Sequence, residues 1–319
     1  MRKSLGALLL IVLMLSIMIA IVPATAAQDA TIGTQDNPII WAFVPSSDAQ
    51  TVLTGATELT DLVQKDSGYY IKPVVATDYS AVVEAVCNGK AQMAALNTFG
   101  YILASSRGCA NVGVVSTRFG SAYYSGQIIV KAGSDIKTLA DLKGKTFCRP
   151  DAISTSGWIV PSITLRANGV DPDTDLKIVD AGGHPQVVTA VINGDCDAGA
   201  TFVDARTDDQ KTQTTVIATT SQIPNDTISF ESHVDPAIQA KIIASLLKIA
   251  ADPANAALLK DTYNWGGLAE AKDAFFDDFR QQLDAAGIKI DELVPTPAPT
   301  EEATAEMTPM MTPEATASS

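Results

Sequence analysis

Three hydroxyl-bearing residues stand in a row, Ser154, Thr155 and Ser156, and Gly157 follows at once. Behind them Trp158, Ile159, Ile163 and Leu165 could line the buried side of a helix. One hydroxyl at a helix start makes an N-cap, which accepts a backbone N–H and stabilises by about 1 kcal/mol. Three hydroxyls, beside the unpaired N–H groups and partial positive charge of a helix N-terminus, also make a seat for a tetrahedral oxyanion. A serine nucleophile is the enzymatic alternative and needs a base and an oxyanion hole. The Gly-x-Ser-x-Gly elbow of such enzymes is absent, and the order Ser156, His184, Asp204 differs from their Ser–Asp–His order.

The elements that must position these residues alternate along the chain. "IIWAFVP" reads as a strand, "SDAQTVLTGATELTDLVQKDSG" as a helix and "YIKPVVA" as a strand. "YSAVVEAVCNGKA" and "TFGYILASSRG" read as helices, and "QMAALN" and "NVGVVST" as strands. After the longer strand "SAYYSGQIIVKAG" the rhythm restarts. The hydroxyl run opens a helix with Pro161 in its first turn, "LKIVDAG" and "CDAGATFV" are strands, and "HPQVVTAVINGD" is a helix with Pro185 at its start. "TTVIATTSQIPNDTISF" reads as a second long extended piece, and helices close the chain. Such alternation predicts mainly parallel sheets with crossover helices. Two α/β units joined by two extended segments imply two lobes with a hinge and a cleft, where ligands tend to bind. We place one lobe at 37–126 plus 220–292 and the other at 130–217.

The first residues, "MRKSLGALLLIVLMLSIMIAIVPATA", combine two cations, a long apolar run and Ala24-Thr25-Ala26. This is a secretory signal layout with cleavage expected after Ala26; the length of the run leaves an uncleaved membrane anchor as the alternative. The Pro/Thr/Ala/Glu tract over 295–319 has no periodicity and is expected to be disordered. The net charge is −14 overall, −16 without Arg2 and Lys3, and −12 once the four tail glutamates are also set aside. Nucleic-acid binding needs a basic footprint and is not expected. A small anion is not excluded, because N–H dipoles and hydroxyls can hold it. The four cysteines, Cys87, Cys109, Cys148 and Cys196, lack the close spacing of a zinc site. In an exported chain they read as disulfides, with free buried thiols as the alternative. Of three possible pairings the lobe organisation favours Cys87–Cys109 and Cys148–Cys196.

The ordered motifs "LADLKGKTFC", "STSG", "GGHPQVVTAVINGDCDAGA" and "IPND", with "TDYSAVVEAVCNGKAQMAALNTFGYI" before them, resemble the phosphate/phosphite/phosphonate-binding proteins of ABC importers. The resemblance runs from about residue 38 to 290 and is specific for the family, not for the ligand. It implies a two-lobed, type II-like periplasmic-binding-protein fold with a cleft between lobes joined by two hinge strands. It further implies a monomeric, non-enzymatic carrier outside the cytoplasm, periplasmic or at the cell surface. Such a carrier hands a phosphorus oxyanion to a membrane permease and its ATPase, without metal or cofactor.

By position, the resemblance implies that Ser154, Thr155 and Ser156 bond the phosphoryl-type oxygens, helped by the Ser156 and Gly157 N–H groups and the His184 imidazole. Tyr79 and Tyr123, with Tyr124 as neighbour, match aromatic positions lining the family's cleft; they read otherwise as half-buried aromatics. Asp204 and Asp226 match acidic positions that face a ligand ammonium in relatives binding aminoalkyl phosphonates, or they are solvated loop carboxylates. Asp226 as an acceptor would also select a protonated oxyanion. Two departures stand out: Asn97-Thr98 replaces a common Gly-Pro pair on the cleft wall, and Cys148 replaces a small residue. Proteins of the same architecture that bind sulfonates or thiamine precursors are the nearer alternative, and a sensory binding domain is the more distant one.

Overall fold

The computed structural model describes residues 31–203 and 205–290, and from Gly33 on they belong to one compact unit. The leader over 1–26 and the tract over 295–319 lie outside the described residues.

The chain first builds β1 (Ile39–Phe43), α1 (Ala49–Ser67), β2 (Ile71–Val75), α2 (Tyr79–Cys87), β3 (Met93–Leu96), α3 (Thr98–Ser106) and β4 (Ala110–Thr117). A second set follows: β5 (Tyr123–Lys131), β6 (Thr146–Arg149), α4 (Val160–Ala167), β7 (Lys177–Asp180) and α5 (His184–Asn193). It continues through β8 (Ala198–Phe202), α6 (Asp208–Gln213) and β9 (Thr214–Pro224). The return consists of β10 (Thr227–Glu231), α7 (Pro236–Ala251), α8 (Ala256–Tyr263), β11 (Gly267–Glu270) and α9 (Asp277–Ala285).

Two sheets result, ordered β11-β4-β10-β3-β1-β2 and β7-β6-β8-β5-β9. Within each, the strands built locally by strand–helix–strand units pair in parallel: β2 and β3 with β1, and β7 and β8 with β6. The expectation of mainly parallel sheets is corrected by the strands that carry the chain between lobes. β10 enters the first sheet antiparallel to both β3 and β4, and β5 lies antiparallel between β8 and β9. A strand that arrives from the other lobe has no local crossover helix to impose a parallel direction. For the same reason "TTVIATTSQIPNDTISF" is two strands, not one: β9 stays in the second sheet, and after Asn225-Asp226 the chain continues as β10 of the first. The short β11 and α6 carry too little pattern to have been anticipated.

Helix α1 shows how the sheets are covered. Val52, Ala56, Leu59 and Val63 repeat at the helical period and are fully buried. Asp48 starts the helix by accepting the Thr51 N–H at 2.9 Å. Beneath lie Ile39, Trp41 and Phe43 of β1, none with exposed surface. Both expected disulfides are present: Cys87–Cys109 ties the end of α2 to the start of β4, and Cys148–Cys196 ties β6 to the approach to β8.

Candidate functional site

A cavity of about 300 Å³ lies between the two sheets and takes its walls from both. Its position follows from the direction of the parallel strands. Val44 and Ser46 follow β1, Asn97 follows β3, Ser154 follows β6 and His184 follows β7, so the carboxyl ends of four strands face the cavity. Helices begin where those strands end, and Tyr79 opens α2 at the same rim. A helix N-terminus carries positive potential without any formal charge, and its first N–H groups have no partner within the helix. Ligands of open α/β sheets bind at this end.

The hydroxyl run both caps the helix start and lines the cavity. Ser154 Oγ accepts the Gly157 N–H at 3.3 Å, and its carbonyl accepts the N–H groups of both Trp158 and Ile159. The turn over Thr155–Ile159 is consequently wide, π-helical, and α4 begins only at Val160. Pro161 stands in the first turn of α4, as expected, where its missing N–H costs no helical bond. Such insertions recur at functional sites. Among the described residues the N–H groups of Thr155 and Ser156 have no acceptor. Thr155 Oγ1 accepts from Asn97 Nδ2 at 2.8 Å and from Phe99 N at 2.9 Å, across the gap between the sheets. With those two bonds accepted, its hydroxyl proton is left to donate. Close backbone packing fixes the cradle: a Cβ on Gly157 would lie 2.3 Å from Pro150 Cδ, and one on Gly126 of β5 would lie 2.6 Å from the Ser156 carbonyl.

His184 is the first residue of α5 and is 4% exposed. Its N–H donates to Ser46 O at 3.2 Å, its Nδ1 lies 2.9 Å from Thr201 Oγ1, and its ring meets Phe202 edge-on. Burial, aided by Arg118, lowers its pKa to about 3, so the imidazole is neutral in ordinary conditions. The hydroxyl at Nδ1, in place of a carboxylate, also removes the third member of a hydrolytic triad. Burial pushes the phenols of Tyr79 and Tyr124 up, so both are donors, not phenolates. Arg118 Nη2 pairs with Asp226 Oδ2 at 2.9 Å, and their side chains are 8% and 13% exposed. Burial raises the Asp226 carboxyl pKa, and Arg118 and Trp265 pull it back.

Of the residues anticipated from sequence, Tyr79, Tyr124, Ser154, Thr155, Ser156, His184 and Asp226 line this one cavity. Tyr123 does not: neighbouring strand residues face opposite ways, and its half-exposed ring packs on Phe275 at 5.1 Å. Gly157 is no ligand donor either, because its N–H is spent on Ser154 Oγ. Asp204 lies outside the described residues. The sequence reading passed over Arg118, Ser46, Phe202, Tyr263 and Trp265, which also line the cavity. Arg118 had a signal to find it by: a cation at the end of an apolar strand, at the first crossing between lobes.

Residues 41–276 match the model of a family described as ABC transporter, phosphonate, periplasmic substrate-binding protein. The chain is 30% identical over 175 residues to the phosphate-import protein PhnD of Mycolicibacterium smegmatis, covering 51% of this chain and 54% of that protein. It thus spans about half the length of that relative. Over 259 residues it is 24% identical to the phosphonates-binding periplasmic protein of Escherichia coli, covering 77% and 76% of the two chains. The binding-protein component of a Pseudomonas aeruginosa ABC phosphonate transporter has a similar fold, with a TM-score of 0.71 at 21% identity over 84% of this chain and 92% of that one. PhnD1 of Prochlorococcus marinus, solved with methylphosphonate, gives 0.69 at 15% identity over 79% and 98%.

Proposed function

On the premise that this chain belongs to the periplasmic substrate-binding proteins of phosphonate ABC transporters, we propose that it captures a small phosphorus oxyanion in the cavity between its sheets and delivers it to a membrane permease coupled to an ATPase. The observation that carries the reading is that three hydroxyls and the unpaired N–H groups of Thr155 and Ser156, at the wide turn before α4, meet on a cavity with balanced formal charge. Ser154, Thr155 and Ser156 donate hydroxyl protons to ligand oxygens, and the Thr155 and Ser156 N–H groups add the dipole of the wide turn. His184 Nε2 supplies a neutral imidazole contact, and Tyr79 and Tyr124 close the sides. Charge-assisted bonds of this kind are about twice as strong as neutral ones and strengthen as the cleft sheds water.

The lobes move about the two crossings, at Arg118–Ala122 and at Asn225–Asp226, so one moving body ends at Thr117 and resumes at Thr227 and the other runs from Tyr123 to Pro224. The boundaries expected at 126/130 and 217/220 shift outward, because Tyr123–Ser125 pair with Gln222–Pro224. The cross-lobe bonds of Thr155, and that of the His184 N–H with Ser46 O, hold the closed form. The protein works outside the cytoplasm as a monomer. Mass action gives the test: a ligand that binds only the folded state raises Tm. Thermal shifts are measured with phosphate, phosphite, methylphosphonate and 2-aminoethylphosphonate, against sulfate, taurine and a thiamine precursor. The reading expects a response to at least one phosphorus compound and none to taurine or the precursor. Silence across the phosphorus compounds removes it.

A further inference from the structure

The formally charged residues of the cavity come in opposite pairs. Lys260 and Asp261 line it together at one side. Arg118 and Asp226 form the other pair, and they stand at the two places where the chain crosses between sheets. The guanidinium is held between the rings of Tyr124 and Phe202, at 4.9 and 4.8 Å from their centroids. Nη2 donates to Asp226 Oδ2 and, at 3.2 Å, to the Tyr263 carbonyl. Nε and Nη1, both buried, have no acceptor among the described residues.

Two consequences follow from elementary electrostatics. A buried guanidinium with unmet N–H groups favours an added anionic oxygen nearby, since leaving buried donors unpaired is costly. A carboxylate already held by that guanidinium has little attraction left for an ammonium. A ligand ammonium brought to Asp226 comes close to Arg118 as well, so attraction and repulsion of similar size oppose each other. The desolvation of the ammonium is then uncompensated. A cavity of about 300 Å³ is at the small end for ligand sites, with the apolar surfaces of Tyr263 and Trp265 on its wall.

We propose that Arg118, by engaging Asp226, makes this cavity select phosphorus oxyanions with no substituent or a short uncharged one, and reject aminoalkylphosphonates. The proposal rests on the phosphorus-oxyanion reading above and narrows its ligand. Propylphosphonate and 2-aminoethylphosphonate have the same heavy-atom skeleton and differ in the terminal charge, so their comparison isolates it. In calorimetric titrations of the full exported chain, propylphosphonate should bind at least tenfold more tightly. Arg118→Met frees Asp226 and should narrow or reverse that ratio by at least tenfold. Asp226→Asn leaves Arg118 unopposed and should widen it. Melting curves check that each variant folds; should Arg118→Met fail to fold, the wild-type ratio and Asp226→Asn decide. Equal or tighter binding of 2-aminoethylphosphonate by the wild type overturns the proposal and leaves the oxyanion reading standing. A ratio unchanged in folded Arg118→Met overturns it too. Binding of none of these, nor of phosphate, phosphite or methylphosphonate, removes both.

Discussion

Thr155→Val separates the roles of the hydroxyl run most sharply. Valine keeps the shape of threonine and deletes one oxygen. That oxygen is 1% exposed as part of its residue and accepts two N–H groups from the start of α3 on the other side of the cleft, Asn97 Nδ2 at 2.8 Å and Phe99 N at 2.9 Å. Asn97 Nδ2 keeps its bond to Ile153 O at 2.8 Å, so Phe99 N is the donor left wholly unmet. One orphaned buried donor costs about 1–3 kcal/mol, and the weakened second bond adds about 0.5–1 kcal/mol. We therefore expect a loss of roughly 1.5–4 kcal/mol, which at about 2–4 °C per kcal/mol lowers Tm by roughly 3–16 °C. Ligand affinity should fall independently, because on the proposed reading the remaining hydroxyl proton is the one donated to the oxyanion. A lost bond to a charged group is worth about 1.5–3 kcal/mol, or on the order of 10- to 150-fold in Kd. Thr155→Ser keeps the oxygen and should stay within about 1 kcal/mol of wild type in both respects. Differential scanning calorimetry and titration with methylphosphonate read the two effects. Refutation would be a valine variant that melts and binds like wild type, or a serine variant as damaged as the valine.

Other consequences are equally measurable. Gly157→Ala drives a Cβ to 2.3 Å from the rigid Pro150 ring; overpacking of this kind costs about 1–3 kcal/mol, and it should also weaken oxyanion binding, while Gly108→Ala, which is destabilised too because Gly108 has a φ of +71° but does not line the cavity, leaves binding alone. The pKa of His184 is lowered from 6.5 to about 3, so between those values the unfolded chain holds a proton that the native state does not, and this residue's contribution to stability falls as pH drops below about 6.5. Asp226, raised by burial, acts in the opposite sense at low pH, so the comparison must be wild type against His184→Gln: their stability gap should shrink as pH falls from 7 to 4, and a constant gap counts against the assignment. NMR should likewise find the His184 ring not titrating above pH 5. Reducing the disulfides releases loops of sequence separation 22 and 48, worth about 3–4 kcal/mol each on the chain-entropy account, so dithiothreitol should lower Tm by at least 10 °C.

What the sequence disclosed, and what it withheld, divides along physical lines. Helical and strand periods are local, and helices such as α1 and α5 begin and end close to where their caps and prolines stand. Ser154 could be recognised as a cap from its own neighbours. Its partnership with Gly157 N–H, which removes that glycine from the ligand set, depends on the wide turn, and composition does not announce a π-helical turn. Sheet direction is non-local: β10 and β5 owe their antiparallel pairing to the route the chain takes between lobes. Asn97 looked like a departure from pattern, and only the fold shows that it bridges to Ile153 and Thr155 across the cleft. Arg118 was missed for the same reason. Its significance lies in Asp226, which is 108 residues away. Tyr123 and Tyr124 could not be separated until the register of β5 placed one ring toward Phe275 and the other beside Arg118.

The most direct test of the oxyanion cradle is isothermal titration of the exported chain with methylphosphonate and with inorganic phosphate. Wild type is compared with Ser154→Ala and His184→Ala. The account predicts one equivalent bound by wild type for at least one of the two anions, and at least tenfold weaker binding by each variant. Ser154→Ala, which also loses a cap worth about 1 kcal/mol, should still be folded and melt only roughly 2–4 °C lower. Variants that remain folded and bind as wild type does would contradict it, as would a wild type that takes up neither anion.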